Sequence, residues 1–131
     1  MIHLRPNWSS AEFACRCGCG FGLKVGDMKD PVLDGLQEIR NRYGGPLFCV
    51  SPHNPTAGSG CRCDSYNRRI GGTLGSYHML GLAADIWGAP VAELYAIAQQ
   101  VPVFKDGGIG VYWGRLFVHV DGRGHLARWT E

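Results

Sequence analysis

Three side chains in this sequence have the types and the order to share one metal ion: His78, Asp85 and His119. Six residues separate His78 from Asp85, and His119 follows in an apolar run of its own, Leu116-Phe117-Val118-His119-Val120. Two imidazoles and one carboxylate match a catalytic zinc, which takes three N or O ligands and keeps one position open. Such an ion brings the pKa of a bound water near neutrality and polarises a carbonyl, which is the chemistry of a hydrolase. The spacing alone is a weak indication. Any chain of this length offers some His/Asp triple, and a His in a Gly-rich loop is ordinarily a surface residue.

The elements that must position these residues can be read from periodicity and from start and stop residues. Ser9-Ser10-Ala11-Glu12-Phe13 reads as a short helical turn with a Ser cap and an acid in its first turn. Cys15 to Gly26 reads as loop. Asp30 to Gly45 is the clearest helix: Asp30 can cap it, Pro31 suits its first position and Gly44 its end. Val32, Leu33, Leu36, Ile39 and Tyr43 repeat at helical spacing and should face the core. Leu47 to Val50 reads as a buried strand, Pro52 to Gly60 as a loop, and Asp64 to Ile70 as a short helix closed by Gly71-Gly72. Leu82 to Ile86 reads as the strand that carries Asp85. Pro90 to Val101 is a second amphipathic helix, stopped by Pro102, with Val91, Leu94, Tyr95 and Ala98 as its stripe. Gly110 to Trp113 and Leu116 to Val120 form a hairpin, which places His119 on an antiparallel strand. The fold class is therefore α+β, helices on a small, mostly antiparallel sheet, in a single domain over residues 1–131.

Composition narrows the function. A net charge of +2 gives no basic footprint for nucleic acid. No apolar stretch approaches the roughly 20 residues of a membrane span. The N-terminus, MIHLRPNWSSAEFAC, shows no apolar core of a secretory signal, so action outside the cytoplasm would need another delivery route. The 20 glycines predict many turns. Six cysteines fall in two clusters, Cys15/Cys17/Cys19 and Cys49/Cys61/Cys63. The even count points first to disulfides. A structural zinc bound by thiolates is the alternative, against which the C-x-C spacing counts, and reduced thiols packed as small apolar groups are the third reading.

The residues around the triple make it specific. Ser76 to Ile86 (SYHMLGLAADI) resembles the S-x-H-x-x-G-x-A-x-D-I pattern of the M15 family, the zinc D-Ala-D-Ala carboxypeptidases and related murein peptidases. It looks most like the small type 3 domains of that family, also found in phage and prophage lytic proteins. Glu12 to Gly20 (EFACRCGCG) resembles their N-terminal motif. Ser59-Gly60-Cys61-Arg62-Cys63, then Tyr66-Asn67-Arg68 and Gly71-Gly72, resembles S-G-Y-R-C-P-x-Y-N-R-x-x-G-G. Gly107 to Tyr112 and Phe117 to Asp121 resemble G-G-I-G-x-Y and F-V-H-V-D. The likeness runs in order over nearly the whole chain.

The resemblance implies a hedgehog/D-Ala-D-Ala-peptidase-like fold, a Zn2+ cofactor on His78, Asp85 and His119, and a peptidoglycan stem peptide as substrate. It implies a monomer acting on the cell wall, in the periplasm or outside, made in the cytoplasm if it is a phage lytic protein. Other branches of the family place an acidic general base just before the last His. Here that slot holds Leu116, Phe117 and Val118. Asp121, two residues along the strand and on the same face as His119, is the acid nearest by. It is expected to act as general base or to orient a ligand, with two alternatives: a swap of roles with His119, or a surface pair with Arg123. Arg62 is expected to grip the substrate's terminal carboxylate, or else to pair with Asp64. Ser76 either meets substrate or fixes the turn before His78.

Three departures from the family pattern bear on the rim of the site: Cys61 for Tyr, Asp64 for Pro, and an inserted Pro52 to Gly58. His53 in that insert is expected to be a solvated loop residue, and His3 and His125 have no supporting context. Trp8, Trp87, Trp113 and Trp129 are expected at the core or its edge rather than as glycan platforms. The competing function is a catalytically weak peptidoglycan-binding domain that keeps the fold.

Overall fold

The computed structural model describes residues 2–51 and 54–131. Its first strands, β1 (His3–Arg5) and β2 (Trp8–Ser9), pair as an antiparallel hairpin. Each is too short to show a period of two in the sequence. The Ser9 N–H donates to Glu12 Oε2 at 3.1 Å, and Ser10–Phe13 closes as the expected turn, in 3-10 form. Glu12 also accepts the Cys49 N–H through Oε1 at 3.2 Å, which ties this turn to a segment across the core.

Helix α1 (Asp30–Tyr43) ends at Gly44, whose φ of 77° suits glycine and whose N–H donates to the Arg40 carbonyl. Lys29, not Asp30, holds the cap position; Asp30 stands inside the first turn beside Pro31. Asp30 and Asp34 instead receive the Arg5 guanidinium at 3.1 and 2.7 Å, fastening β1 to the helix. Val32, Leu33, Leu36 and Ile39 are buried as their spacing predicted, and Tyr43 lies at the core's edge.

The strand expected over Leu47 to Val50 shrinks to β3 (Val50–Ser51), with Phe48 making one isolated bridge to Trp87. The stretch expected as loop from Pro52 to Gly60 contains β4 (Asn54–Gly58), antiparallel to β3. A two-stranded ribbon consists only of edges, where Pro and Gly are tolerated, so their presence did not rule out a strand. Helix α2 (Asp64–Arg69) and strand β5 (Ala83–Ile86) lie where expected. Helix α3 (Val91–Ala98) is shorter than its pattern, and Pro102 opens a further turn, α4 (Pro102–Lys105), as proline can at a first helical position. Strands β6 (Gly108–Tyr112) and β7 (Phe117–Asp121) form the predicted hairpin. Strand β8 (Ala127–Thr130), unforeseen, adds to β6 in parallel.

The main sheet has the order β5-β7-β6-β8, antiparallel except at β8, so the class is α+β as read. Alternate residues face opposite sides. Ala84, Ile86, Ile109, Val111, Val118 and Val120 are buried in the core that α1, α3 and α4 complete with Leu36, Leu94 and Phe104. Gly35 lets α1 approach α4 closely, since any Cβ there would meet the Phe104 ring. The other residues of the strands, including Asp85 and His119, turn to the face the helices leave open. Cys49 and Cys61 lie in the core, where burial pushes both thiols up.

Candidate metal centre

Strand register places Asp85, His119, Gly110 and Trp129 in one row across the open face of the sheet. Gly110 sits between His119 and Trp129, and any side chain there would meet the indole. Its absence lets the Trp129 ring lie with its centroid 5.1 Å from that of His119. His78 reaches the row from a 3-10 turn, Tyr77–Leu80, that Ser76 caps by accepting the His78 N–H at 3.3 Å. Gly81 ends the turn at φ 69°, where an added Cβ would meet the Asp27 carbonyl, and so delivers the chain directly into β5.

Ligand atoms of His78, Asp85 and His119 all lie within 4.8 Å of one another. Asp85 Oδ1 faces both imidazoles, at 3.4 Å from His78 Nε2 and 3.0 Å from His119 Nδ1. Each ring has its other nitrogen occupied. His78 Nδ1 is 2.6 Å from the Gly60 carbonyl, which only accepts, so the proton belongs on Nδ1 and the lone pair on Nε2 faces Asp85. His119 Nε2 is 2.7 Å from Asp121 Oδ2, leaving Nδ1 toward Asp85. Oxygen acceptors that fix the tautomer behind two converging imidazoles are what a histidine metal site requires. The donors present therefore fit one divalent ion of N/O preference.

Asp121 is fully buried. Besides His119 it accepts the Gly108 N–H at 3.0 Å, the Arg123 N–H at 3.1 Å, and the Arg123 guanidinium at 2.9 Å and 2.7 Å. The pair with Arg123 forms, with the carboxylate buried and the guanidinium partly exposed at the cleft rather than both on the outer surface. Arg123 in turn lies over the Tyr77 and Trp129 rings, 4.5 and 5.1 Å from their centroids.

The electrostatics follow from these contacts. Burial pushes the Asp85 carboxyl up, but the His78 and His119 imidazoles outweigh it and hold Asp85 well below the usual carboxylate range. Burial also opposes ionisation of Asp121, and its bonds to His119 and Arg123 overcome that in the same direction. Burial would lower His119, yet Asp121 and Asp85 on its two sides raise it to about 9 in the metal-free protein.

These groups lie in a cleft of about 1210 Å³. Arg62 is on its wall and donates to Asn67 Oδ1 at 3.0 Å, while the nearly buried Asn67 donates to the Thr73 carbonyl. Asp64, the alternative partner read from sequence, pairs with Arg68 instead. Ser76 lines the same cleft; having accepted the His78 N–H, it keeps its hydroxyl hydrogen to donate. Arg16, Arg115 and Arg123 add to the positive wall, and Asp85 is its one carboxylate among the described residues. Trp8 is core, Trp87 and Trp129 line the cleft, and Trp113 is exposed. His3 and His125 are exposed and away from this cleft, and His53 lies outside the described residues.

Sequence reasoning missed the Gly60 carbonyl, Asn67 and Trp129. A backbone carbonyl leaves no trace in residue type, and Trp129 depends on the unforeseen β8. Asn67 stood inside a motif already noted, where a buried amide beside an arginine could have been suspected. The disulfides suggested by the cysteine count do not form: all six cysteines are free.

Among known proteins, the chain is similar to acidic phospholipase A2 5 of Naja sagittifera, 30% identical over 77 residues that cover 46% of this chain and 62% of that protein. The chain thus spans about three fifths of that relative's length, too little to assign a family. A family model described as Peptidase M15 matches residues 6–121, which takes in the cysteine loop, the Arg62 segment, the His78 turn and the His119 strand. With a match over that span, the chain belongs to the peptidase family M15.

Proposed function

We propose that residues 1–131 act as one monomeric zinc peptidase domain that hydrolyses peptide bonds in peptidoglycan stem peptides, as a D-Ala-D-Ala carboxypeptidase or a murein endopeptidase at the cell wall. The observation that carries this reading is the convergence of His78 Nε2, His119 Nδ1 and Asp85 Oδ1 on the floor of one cleft, each imidazole fixed from behind. Bound there, zinc would supply a Lewis acid for the scissile carbonyl and a water of lowered pKa.

The chain's own residues do the rest. Asp121 positions His119 and keeps its Nε2 protonated, with Arg123 and Gly108 holding the carboxylate still. Arg62 has donors left after serving Asn67, and its planar fork suits the terminal carboxylate of a stem peptide. Ser76 donates its hydroxyl hydrogen to a substrate carbonyl. The four cleft arginines favour an anionic peptide over a neutral one.

One observation favours the second reading, a weakly catalytic peptidoglycan-binding domain. Asp121 has no free oxygen edge toward the cleft, so no uncommitted carboxylate stands ready as general base on the wall. Digestion of a defined muropeptide at saturating zinc, read by mass spectrometry, separates the two. Release of D-Ala or of a cut stem peptide by the wild type, and its loss with the metal in His78→Ala, supports the peptidase. Binding without any cleavage at saturating zinc supports the module.

A further inference from the structure

The structure gathers four of the six cysteines at a point the metal centre does not use. Cys15, Cys17 and Cys19 come from the loop after the first 3-10 turn, and Cys63 from the cap of α2. Their sulfurs all lie within 4.8 Å of one another. Cys17 Sγ is 3.5 Å from Cys15 Sγ and 3.6 Å from Cys63 Sγ. A disulfide needs about 2.05 Å. Zinc–sulfur bonds of about 2.3 Å in a tetrahedron put the sulfurs about 3.8 Å apart. These two separations are too long for a disulfide and close to a tetrahedral edge.

The backbone is shaped for the same end. Alternate residues of an extended chain stand roughly 6.5–7 Å apart and could not meet at one point. Here Gly18 and Gly20 take φ of 82° and 92°, which curls the loop until Cys15, Cys17 and Cys19 converge. Two backbone N–H groups point at sulfur: Cys63 N–H at Cys15 Sγ and Tyr66 N–H at Cys63 Sγ, each at 3.4 Å. Such donors favour thiolate over thiol. The C-x-C spacing counts against a zinc ribbon only if the ligands come in two pairs; here three come from one loop and the fourth from 44 residues beyond Cys19.

We propose that Cys15, Cys17, Cys19 and Cys63 bind a structural zinc ion as a closed tetrathiolate site. It has four ligands and no open position, so it holds structure and does no chemistry. It clamps the N-terminal loop to the segment Ser59 to Cys63, whose Gly60 carbonyl fixes His78 and whose Arg62 lines the cleft. Cys49 and Cys61, buried in the core, take no part.

The test uses the full chain, purified under reducing conditions, and its cobalt-substituted form. Wild type should carry two zinc ions, His78→Ala one, and the exposed pair C17S/C19S one. The cobalt protein should show sulfur-to-cobalt charge transfer in wild type and in His78→Ala, and lose it in C17S/C19S. Absence of that band from the wild type overturns the site. So does an unchanged zinc count in C17S/C19S, or disulfides among these four cysteines in a non-reduced digest. Should C17S/C19S fail to fold, the band in wild type and His78→Ala still decides. The band reports thiolates alone, so it stands or falls separately from the His78 centre.

Discussion

Replacing Asp121 by Asn keeps the shape of the side chain and removes its charge, and the structure says what that must cost. Asp121 faces donors only: His119 Nε2, the Gly108 N–H, and three N–H groups of Arg123. An asparagine amide has one oxygen, so it cannot accept from both sides. If the oxygen faces His119, the NH2 group opposes the Arg123 guanidinium; if reversed, His119 loses its acceptor. Asp121 is fully buried but Arg123 keeps part of its side chain exposed on the cleft wall, so breaking the pair should cost about 3 kcal/mol, the low end for buried ion pairs. For a chain of this size that is a fall in Tm of roughly 10–20 °C. Loss of the group that orients a metal-binding His weakens metal affinity about 10–100-fold. Zinc affinity by chelator competition, Tm by scanning fluorimetry, and turnover at saturating zinc read the three effects apart. We expect weaker zinc, a lower Tm, and turnover that largely returns when zinc is saturating. Unchanged zinc affinity with turnover down about 100-fold or more would refute positioning and make Asp121 the general base. Complete loss of zinc at any concentration would instead make Asp121 itself the ligand.

Removing the Arg62 fork should act on substrate binding and not on metal. With about 1.5–3 kcal/mol at stake for a charge-assisted contact, Arg62→Ala should raise KM about 10–150-fold for a peptide with a free C-terminus. An amidated peptide should show no difference, and equal losses on both peptides would remove the carboxylate from the argument. Zinc affinity should rise about tenfold per pH unit up to about pH 9, because the metal displaces the proton on His119 Nδ1 that faces Asp85, while Asp121 keeps the one on Nε2. For the metal-free protein the sign is opposite: His119 is raised above its ordinary 6.5, so its contribution to stability is full below about pH 6.5 and lost as the pH passes about 9. A pH-independent zinc Kd between pH 6 and 8 would contradict both. Gly110→Ala should push Trp129 off His119, changing tryptophan fluorescence and costing about 1–3 kcal/mol of overpacking. An unchanged emission spectrum would mean the indole is not held there.

What could be read from sequence was whatever rests on a repeat or on a start and stop residue. Helix α1 has five apolar residues at helical spacing between Pro31 and Gly44, and it forms nearly as read. The hairpin of β6 and β7 was legible because two apolar runs flank Gly114. Strands β1, β2 and β8 were not, since two to four residues of mixed type carry no period, and β8 forms through its tertiary pairing with β6. The three candidate ligands could be named from the residues and the family pattern. The acceptors behind them could not be named fully. Asp121 was visible through the two-residue period of its strand, whereas the Gly60 carbonyl depends on a crossing of two segments 18 residues apart.

That crossing explains why two of the departures from the family pattern leave the cleft floor in place. Ser59 to Cys63 runs as a strap: Ser59 N–H donates to the Glu12 carbonyl, Cys61 N–H to Phe13, and Arg62 N–H to His78, while the Ser59 carbonyl accepts from Asp85 N–H. Along the strap, side chains alternate. Cys61 turns into the core, and Arg62 stays on the cleft wall. Cys61 is buried and also contributes to the cleft lining, so a smaller residue at 61 alters side-chain packing there while the backbone bonds of the strap stay in place. At 64, Asp takes the first position of α2, where proline's fixed φ and an acid's charge both favour a helix start. One helix opener replaces another. The strap is held by backbone bonds at Ser59, Cys61 and Arg62 and by sulfur at Cys63. Gly60 lies between the Ser59 and Cys61 anchors, so the carbonyl that fixes the His78 tautomer is held by the strap's own backbone bonds, and the cysteine cluster secures the far end of the same segment.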